Sequence, residues 1–271
     1  MKDADCVLFL QWALPQLAMR WPGFRKVRRQ VARRIERRLV QLGLPDGQAY
    51  RQYLADHPGE WPLLDELCRV TISRFFRDQA VFAELAGQVL PALASRAVAA
   101  GATGLDAWSI GCAAGEEPYS LALLWHQGLA RRFPSLRLKV LATDADPQLL
   151  ERGRRACYPA SALRELPAVL RQAAFRREEG QFCLAPAFRG EVFFQAQDIR
   201  TAMPDRAFDL ILCRNLVFTY FDTPLQRRLA AQLRERLRPD GFLVLGVRER
   251  LPEGQAGFHL ASGRLALYQA A

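Results

Sequence analysis

The sequence predicts an α/β protein: a mostly parallel sheet with helices, preceded by a small all-helical domain and interrupted by a small antiparallel β insertion. Three observations predict it. From Leu105 onward, short β-rich runs alternate with helical ones, the pattern of strand–helix units in a parallel sheet. Residues 1–70 carry only helical periodicity. The stretch 175–194, FRREEGQFCLAPAFRGEVFF, breaks the alternation and reads as two short strands around a turn containing Gly and Pro.

Taken in order, residues 7–18 form an apolar stretch interrupted by Gln11, Pro15 and Gln16. Asp3 and Asp5 stand where a secretory signal would place basic residues, and no small-residue cleavage site follows, so the stretch reads as a short amphipathic or buried helix. Residues 24–42 place Phe24, Val27, Val31, Ile35, Leu39 and Leu42 on one apolar stripe, with Gly43 and Pro45 as a stop. The other faces carry eight basic residues, Arg25 to Arg38, against the single acid Glu36. Helical stretches at 47–56 and 61–70 complete a basic helical domain over 1–70. A linker with a connecting helix follows over 71–104, and the sheet domain occupies 105–271, with 175–194 as its β subdomain. Expected strands are 105–111, 138–144, 191–198, 208–215, 242–247 and 264–270. Expected helices run from 117 to 131, from Pro147 with Asp146 as N-cap, and from 223 to 238, ending at Pro239-Asp240-Gly241.

Of 271 residues, 50% are hydrophobic and 24% charged, which excludes a disordered or collagen-like chain. Lys and Arg number 38 against 28 Asp and Glu, a formal charge of +10, so a negatively charged partner is expected. No run reaches the roughly 18 apolar residues of a membrane span. The cysteines Cys6, Cys68, Cys112, Cys157, Cys183 and Cys213 form no C-x-x-C pair and none stands near a His at ligand spacing. They are read as small buried hydrophobes, without structural zinc, bound metal or a disulfide framework, and cytoplasmic residence is expected.

Four stretches carry polar residues where a ligand would sit. SIGCAAGEEPYS (109–120) follows the first strand, where Gly111 and Gly115 allow a turn and close backbone approach. It lacks the dinucleotide glycine spacing and the phosphate-binding Lys, and Glu116 and Glu117 suit a cationic group; a plain helix start is the alternative. Asp144, ending the second strand, suits two ribose hydroxyls. Arg214 and Asn215 end an apolar strand, and Tyr220-Phe221-Asp222 follows, with Asp222 readable as a helix cap. In TISRFFRD (71–78), Arg77 points to a cleft, or else to a surface pair with Asp78 or Glu84.

Together these motifs resemble the CheR-type chemotaxis-receptor methyltransferases. ISRFFRD, WSIGCAAGEEPYSLAL, LATDAD, FDLILCRN, YFD with Gln226 after it, and LRPDGFLVLG match the family, and RRL, LGL and YL with Glu60-Trp61 match its helical N-domain. The resemblance covers about residues 25–260. It implies a Rossmann-like class I methyltransferase fold with S-adenosylmethionine as cofactor and S-adenosylhomocysteine as product. It implies cofactor contacts from Thr71, Ser73, Arg77, Gly111, Glu117, Asp144, Asp198, Ile199, Arg214 and Asn215, and catalytic roles for Arg77 and Tyr220. The implied reaction methylates glutamate carboxylates of an acidic protein, such as chemoreceptor helices meeting the arginine-rich helix 24–42. A glutamate carboxylate is ionised at neutral pH, so no general base is needed. Arg77 would steer it and Tyr220 would orient the methyl group.

The chain departs from the family in two places. Four residues, not three, separate Asn215 from Tyr220, and Gly246 leads to Val247, Arg248 and Glu249 where the family often has His-Ser-Glu. These leave cofactor binding intact and put the acceptor in question. The alternatives are a methyltransferase with another protein or a small molecule as acceptor, and a non-catalytic cofactor-binding adaptor. A nucleic-acid binder is disfavoured, since no aromatic residues interleave the arginines.

Overall fold

Helix Arg28–Leu42 buries Val31, Ile35 and Leu39, the apolar residues that recur at every fourth position. The structure, a computed structural model, describes residues 3–262 and 265–271. The chain divides into two units, Met1–Thr71 with Thr219–Gln226, and Ile72–Phe218 with Arg227–Ala271.

The first unit holds helices Asp3–Gln16, Trp21–Phe24, Arg28–Leu42, Gly47–Asp56 and Trp61–Cys68. The continuous helix expected from residue 24 is broken: Trp21–Phe24, with a proline in its first turn, is separate, and Arg28 starts the long helix. Gly43 closes that helix at φ 66°, returning its N–H to Leu39 and Val40 carbonyls. Asp46 caps the next, accepting from the Gln48 and Ala49 amides at 2.9 Å each. Phe9 stacks on Tyr50 in the core at 5.5 Å. Residues 219–226 return here, pinned by the Arg20 amide to the Tyr220 carbonyl (2.8 Å) and the Asp222 amide to Ala18 (2.9 Å). A domain cut at residue 70 omits this segment, which is too short to carry a periodic signal.

The arginines of the long helix are not one solvent face. Arg38 donates two bonds of 2.8 Å to the Glu60 carboxylate, which also accepts from Tyr50 Oη at 2.7 Å. Arg34 donates to the Leu67 and Arg69 carbonyls. Arg25, Lys26, Arg29, Arg33 and Arg37 are exposed.

The second unit contains strands β1 (Gly104–Ile110), β2 (Arg137–Asp144), β3 (Cys157–Tyr158), β4 (Phe175–Glu178), β5 (Gln181–Leu184), β6 (Val192–Ala196), β7 (Phe208–Cys213), β8 (Leu237–Leu245), β9 (Phe258–Leu260) and β10 (Leu267–Ala270). Seven form one sheet in the order β6-β2-β1-β7-β8-β10-β9. The first five run parallel, and β10 is antiparallel to both β8 and β9. The remaining three form the antiparallel sheet β3-β5-β4, the β insertion expected at 175–194 joined by one strand from outside it. The mostly parallel α/β architecture is the one the sequence predicts.

Several expectations are corrected. The stretch 71–104, expected as a linker with a connecting helix, carries helices Gln79–Glu84 and Leu90–Ala99, joined by a π-helical turn, and places Phe82, Leu85 and Leu90 in the core with Phe75. Pro239-Asp240-Gly241 does not stand outside the strand. The β7–β8 register jumps from Phe208↔Leu237 to Leu210↔Phe242, so these residues form a bulge within β8, with Asp240 at φ 56°. Arg238 beside the bulge binds Asp106 and Asp209. The last strand starts at Leu267, and Arg264 lies outside the described residues. A disulfide joins Cys157 and Cys183, against the reading of all cysteines as reduced. Sequence separation of 26 hides the pair; the antiparallel β3–β5 register sets the two directly opposite. Cys6, Cys68, Cys112 and Cys213 are free and buried, as expected. Among the described residues, no helix is long and apolar enough to cross a membrane.

Candidate active site

Five parallel strands end on one edge of the large sheet, and a polar segment follows each of them. Residues 111–117 follow β1, Asp144 ends β2, Asp198 follows β6, Arg214 and Asn215 follow β7, and Gly246 to Glu249 follow β8. From β1 the order runs outward through β2 and β6 on one side and β7 and β8 on the other. The edge beside β1 and β7 is therefore the topological switch point, where open α/β sheets bind ligands.

The turn after β1 is wound by positive φ angles at Gly111 (66°), Ala113 (50°) and Gly115 (88°). A Cβ at Gly111 would stand 2.7 Å from Leu216 Cδ2, and one at Gly115 2.7 Å from Phe194 Cζ. Both glycines thus serve the turn's conformation and the packing of the side chains beside it. Asp144 anchors the turn: its Oδ2 accepts from the Ala113 amide and its Oδ1 from the Asp146 amide, each at 2.9 Å. Asp146 is the N-cap expected of it, accepting from the Gln148 and Leu149 amides.

Glu117 and Arg214 form a buried ion cluster. Glu117 accepts from Ser109 Oγ at 2.8 Å and from Arg214 Nη1 at 3.0 Å. Arg214 Nη2 donates to the Asp78 carboxylate at 2.8 Å and to the Arg77 carbonyl at 2.7 Å. Its guanidinium lies 5.4 Å from the centre of the Phe82 ring, and its side chain is 2% exposed. Its Nε is buried without a hydrogen-bond partner. Arg214 thereby ties the FFR segment to the first turn.

That segment is further braced. Phe76 and Asp78 adopt positive φ of 53° and 62°. The Phe76 amide donates to Ser120 Oγ at 2.9 Å, and the Phe75 amide to the Ala162 carbonyl. Glu165 takes Arg74 at 2.8 Å and the Asp78 amide at 3.2 Å. Arg77 does not pair with Asp78 or Glu84; its Nη1 donates to the Ile72 carbonyl at 3.0 Å. Ser73 bonds the Glu116 side chain, whose burial holds its carboxyl above the usual carboxylate range. Glu116 Oε2 has no partner. Tyr158 links both segments, donating its hydroxyl to the Ala114 carbonyl at 2.8 Å and meeting Phe75 edge-on at 4.8 Å.

At the outer strands, Asp198 pairs with Arg200 at 2.6 Å and accepts its amide, while Ile199 is buried. Asn215 adopts a left-handed φ of 57°, and its amide donates to Glu249 Oε2 at 2.8 Å. Thus Ser73, Arg77, Gly111, Glu117, Asp144, Asp198, Ile199, Arg214 and Asn215 all belong to the second unit. Thr71 and Tyr220 belong to the first, where Tyr220 meets Phe24 edge-on at 5.1 Å. Sequence reasoning missed Ser109, Asp78, Ser120, Tyr158 and Glu249 as partners. The available signal was a polar residue within an apolar strand, as at Ser109, or an acid just past a strand end, as at Glu249.

Residues 71–266 match the family described as CheR methyltransferase, SAM binding domain. A chemotaxis protein methyltransferase of Listeria monocytogenes is 33% identical over 192 residues, 70% of each chain. An uncharacterized 104.1 kDa protein of Rhodobacter capsulatus is 34% identical over 242 residues; the match covers 89% of this chain and a quarter (25%) of that protein. Among solved structures, the N-methyltransferase NodS from Bradyrhizobium japonicum with S-adenosylhomocysteine aligns at TM-score 0.33 and 18% identity, over 62% of this chain and 70% of that one. The chain belongs to the CheR methyltransferase family, and residues 71–266 are its S-adenosylmethionine-binding domain.

Proposed function

We propose that this protein methylates glutamate side-chain carboxylates of an acidic protein, with chemoreceptor helices as the acceptor class. The observation that carries the reading is the pair of acids at the switch point, Glu117 after β1 and Asp144 ending β2, in a turn with no phosphate-binding Lys. Carboxylates there suit a ligand that brings an ammonium, a sulfonium and vicinal hydroxyls, and would repel a phosphate. The residues present therefore fit S-adenosylmethionine. Asp144 would hold the ribose, Glu117 the ammonium, Asp198 and Ile199 the adenine side, with Ser73, Arg214, Asn215 and Thr71 shaping the wall. When bound, the cofactor supplies a methyl group already activated by positive charge on sulfur.

The protein's own part is placement and exclusion of water. A glutamate carboxylate is ionised near neutral pH and needs no base. Among the described residues Arg77 is paired with no carboxylate, which suits it to steer an incoming one. Tyr220 would orient the transferred group. Exposed Arg25, Lys26, Arg29, Arg33 and Arg37 would draw an acidic partner, as the names of the chemotaxis methyltransferase relatives suggest.

The test uses S-adenosylmethionine labelled in the methyl group, the protein, and a lysate of its source organism. Label on protein that base releases as methanol is the expected result, and Arg77→Ala and Tyr220→Phe each lower it. Base-stable label, or label in small molecules or nucleic acid, overturns the acceptor. Normal turnover in both variants overturns their roles.

A further inference from the structure

We infer that Glu249 is a positioning residue of this site: one carboxylate oxygen holds the loop after β7 in the shape that presents Arg214 and Asn215. The inference rests on the reading of those two residues as cofactor contacts.

β7 and β8 pair as far as Cys213↔Leu245. Beyond that point the ladder stops, and the amides of Asn215 and Gly246 both turn to Glu249 Oε2, at 2.8 and 2.6 Å. The carboxylate thus replaces the next rung, joining two strand ends on the ligand side of the sheet. Its own backbone makes this possible, because the Glu249 amide returns to the Gly246 carbonyl at 2.8 Å and closes a tight turn. Glu249 is 4% exposed, so water does not compete for the two donors.

Two further features show how narrowly the loop is fixed. Asn215 adopts φ 57°, the left-handed region that asparagine enters more readily than most non-glycine residues and that turns the chain out of β7. A Cβ at Gly246 would stand 2.5 Å from Asn215 Nδ2 and 2.7 Å from Glu249 Oε2, so only glycine lets the two side chains converge there. On the other side, Leu216 fills the space a Cβ on Gly111 would need. The loop is therefore held between the first turn and Glu249. From this shape Arg214 reaches Glu117 and Asp78, at 3.0 and 2.8 Å.

The test compares Glu249→Gln, which keeps an acceptor without charge, with Glu249→Leu, which removes it. The first readout is the amide proton shifts of Asn215 and Gly246 in 15N-labelled protein without ligand. Both resonances are expected to move together in each variant, while that of Ala113, bonded to Asp144, stays in place. The second is the dissociation constant for S-adenosylhomocysteine by calorimetry, expected to weaken about tenfold in Glu249→Gln and further in Glu249→Leu. If Glu249→Leu fails to fold, Glu249→Gln decides. Unmoved Asn215 and Gly246 amides overturn the clamp, and wild-type affinity in a folded variant overturns the positioning role. Wild-type protein that binds no S-adenosylhomocysteine overturns the cofactor reading itself, which the ligand-free shifts tell apart from a failed clamp.

Discussion

Arg38 in the helical unit and Arg214 in the sheet unit each gather a cluster of side chains, and the two are treated differently. Arg38 in the helical unit meets one carboxylate, Glu60, with both hydrogen bonds at 2.8 Å and Tyr50 Oη closing the set. Its side chain stays 24% exposed, so the charge remains in touch with water. Arg214 in the sheet unit is 2% exposed, divides its donors among Glu117, Asp78 and a backbone carbonyl, and leaves Nε unpartnered. In the segments that this cluster joins, Phe76, Asp78, Ala113 and Asn215 adopt positive φ. The helical pair is arranged as a structural staple is. The sheet-end cluster carries an orphan donor and backbone strain, which concentrate where structure serves a ligand.

Deleting the guanidinium should separate the two most. Arg214→Met leaves Glu117 and Asp78 without their shared cation, and breaking a buried ion cluster from one side costs about 3–5 kcal/mol. Calorimetric melting should show a large fall in Tm, and S-adenosylhomocysteine should no longer raise the variant's Tm as ligand binding does for the wild type. A variant that melts and binds as the wild type does removes the distinction drawn here.

The helical staple should respond less, and with a pH signature. The hydrogen bonds from Arg38, chiefly, and from Tyr50 hold the Glu60 carboxyl below its ordinary value. A carboxyl lowered in the folded state adds stability above its unfolded pKa, about 4.3, and loses it as pH falls through the folded value. Glu60→Gln should therefore cost about 2 kcal/mol at pH 7, and the difference from wild type should shrink below about pH 4. Cofactor affinity should hold. A difference that does not change between pH 7 and pH 3 in denaturant melts would mean the charge of Glu60 contributes nothing.

What is legible of the sheet-end cluster in the sequence, and what is not, follows from distance along the chain. GEEP, the acid ending β2 and CRN could be placed at strand ends because apolar runs and turns mark those ends locally. The partners of Arg214 lie 97 and 136 residues away, and no periodic signal joins them. Position within the strand pattern was visible; who pays whom in hydrogen bonds was not. The same limit explains the disulfide, where β3 is two residues long and too short to register as a strand. It explains the bulge in β8 as well, since Pro-Asp-Gly stops a strand locally, and only pairing with β7 on both sides keeps it going. The arginine-rich helix was legible as a basic stripe, but not the division of its arginines between internal bonds and solvent.

That division gives the smallest expected effect on stability and the most selective effect on function. Arg33 and Arg37 are exposed on a helix whose apolar side is buried elsewhere, so reversing both to Glu should change stability by no more than about 0.5 kcal/mol. Arg34→Ala and Arg38→Ala, by contrast, remove bonds within the helical unit and should lower Tm while telling nothing about acceptor binding. If the exposed arginines draw an acidic acceptor, the Arg33→Glu/Arg37→Glu protein should keep its affinity for S-adenosylhomocysteine and show a raised KM for the acceptor. The change should be largest at low ionic strength and fade as salt shortens the reach of surface charge to about 8 Å near 0.15 M. A KM that stays the same at low salt would assign the basic face to solubility alone. The acceptor would then have to be recognised on other ground, and Arg77, paired with no carboxylate among the described residues, would be the first to vary.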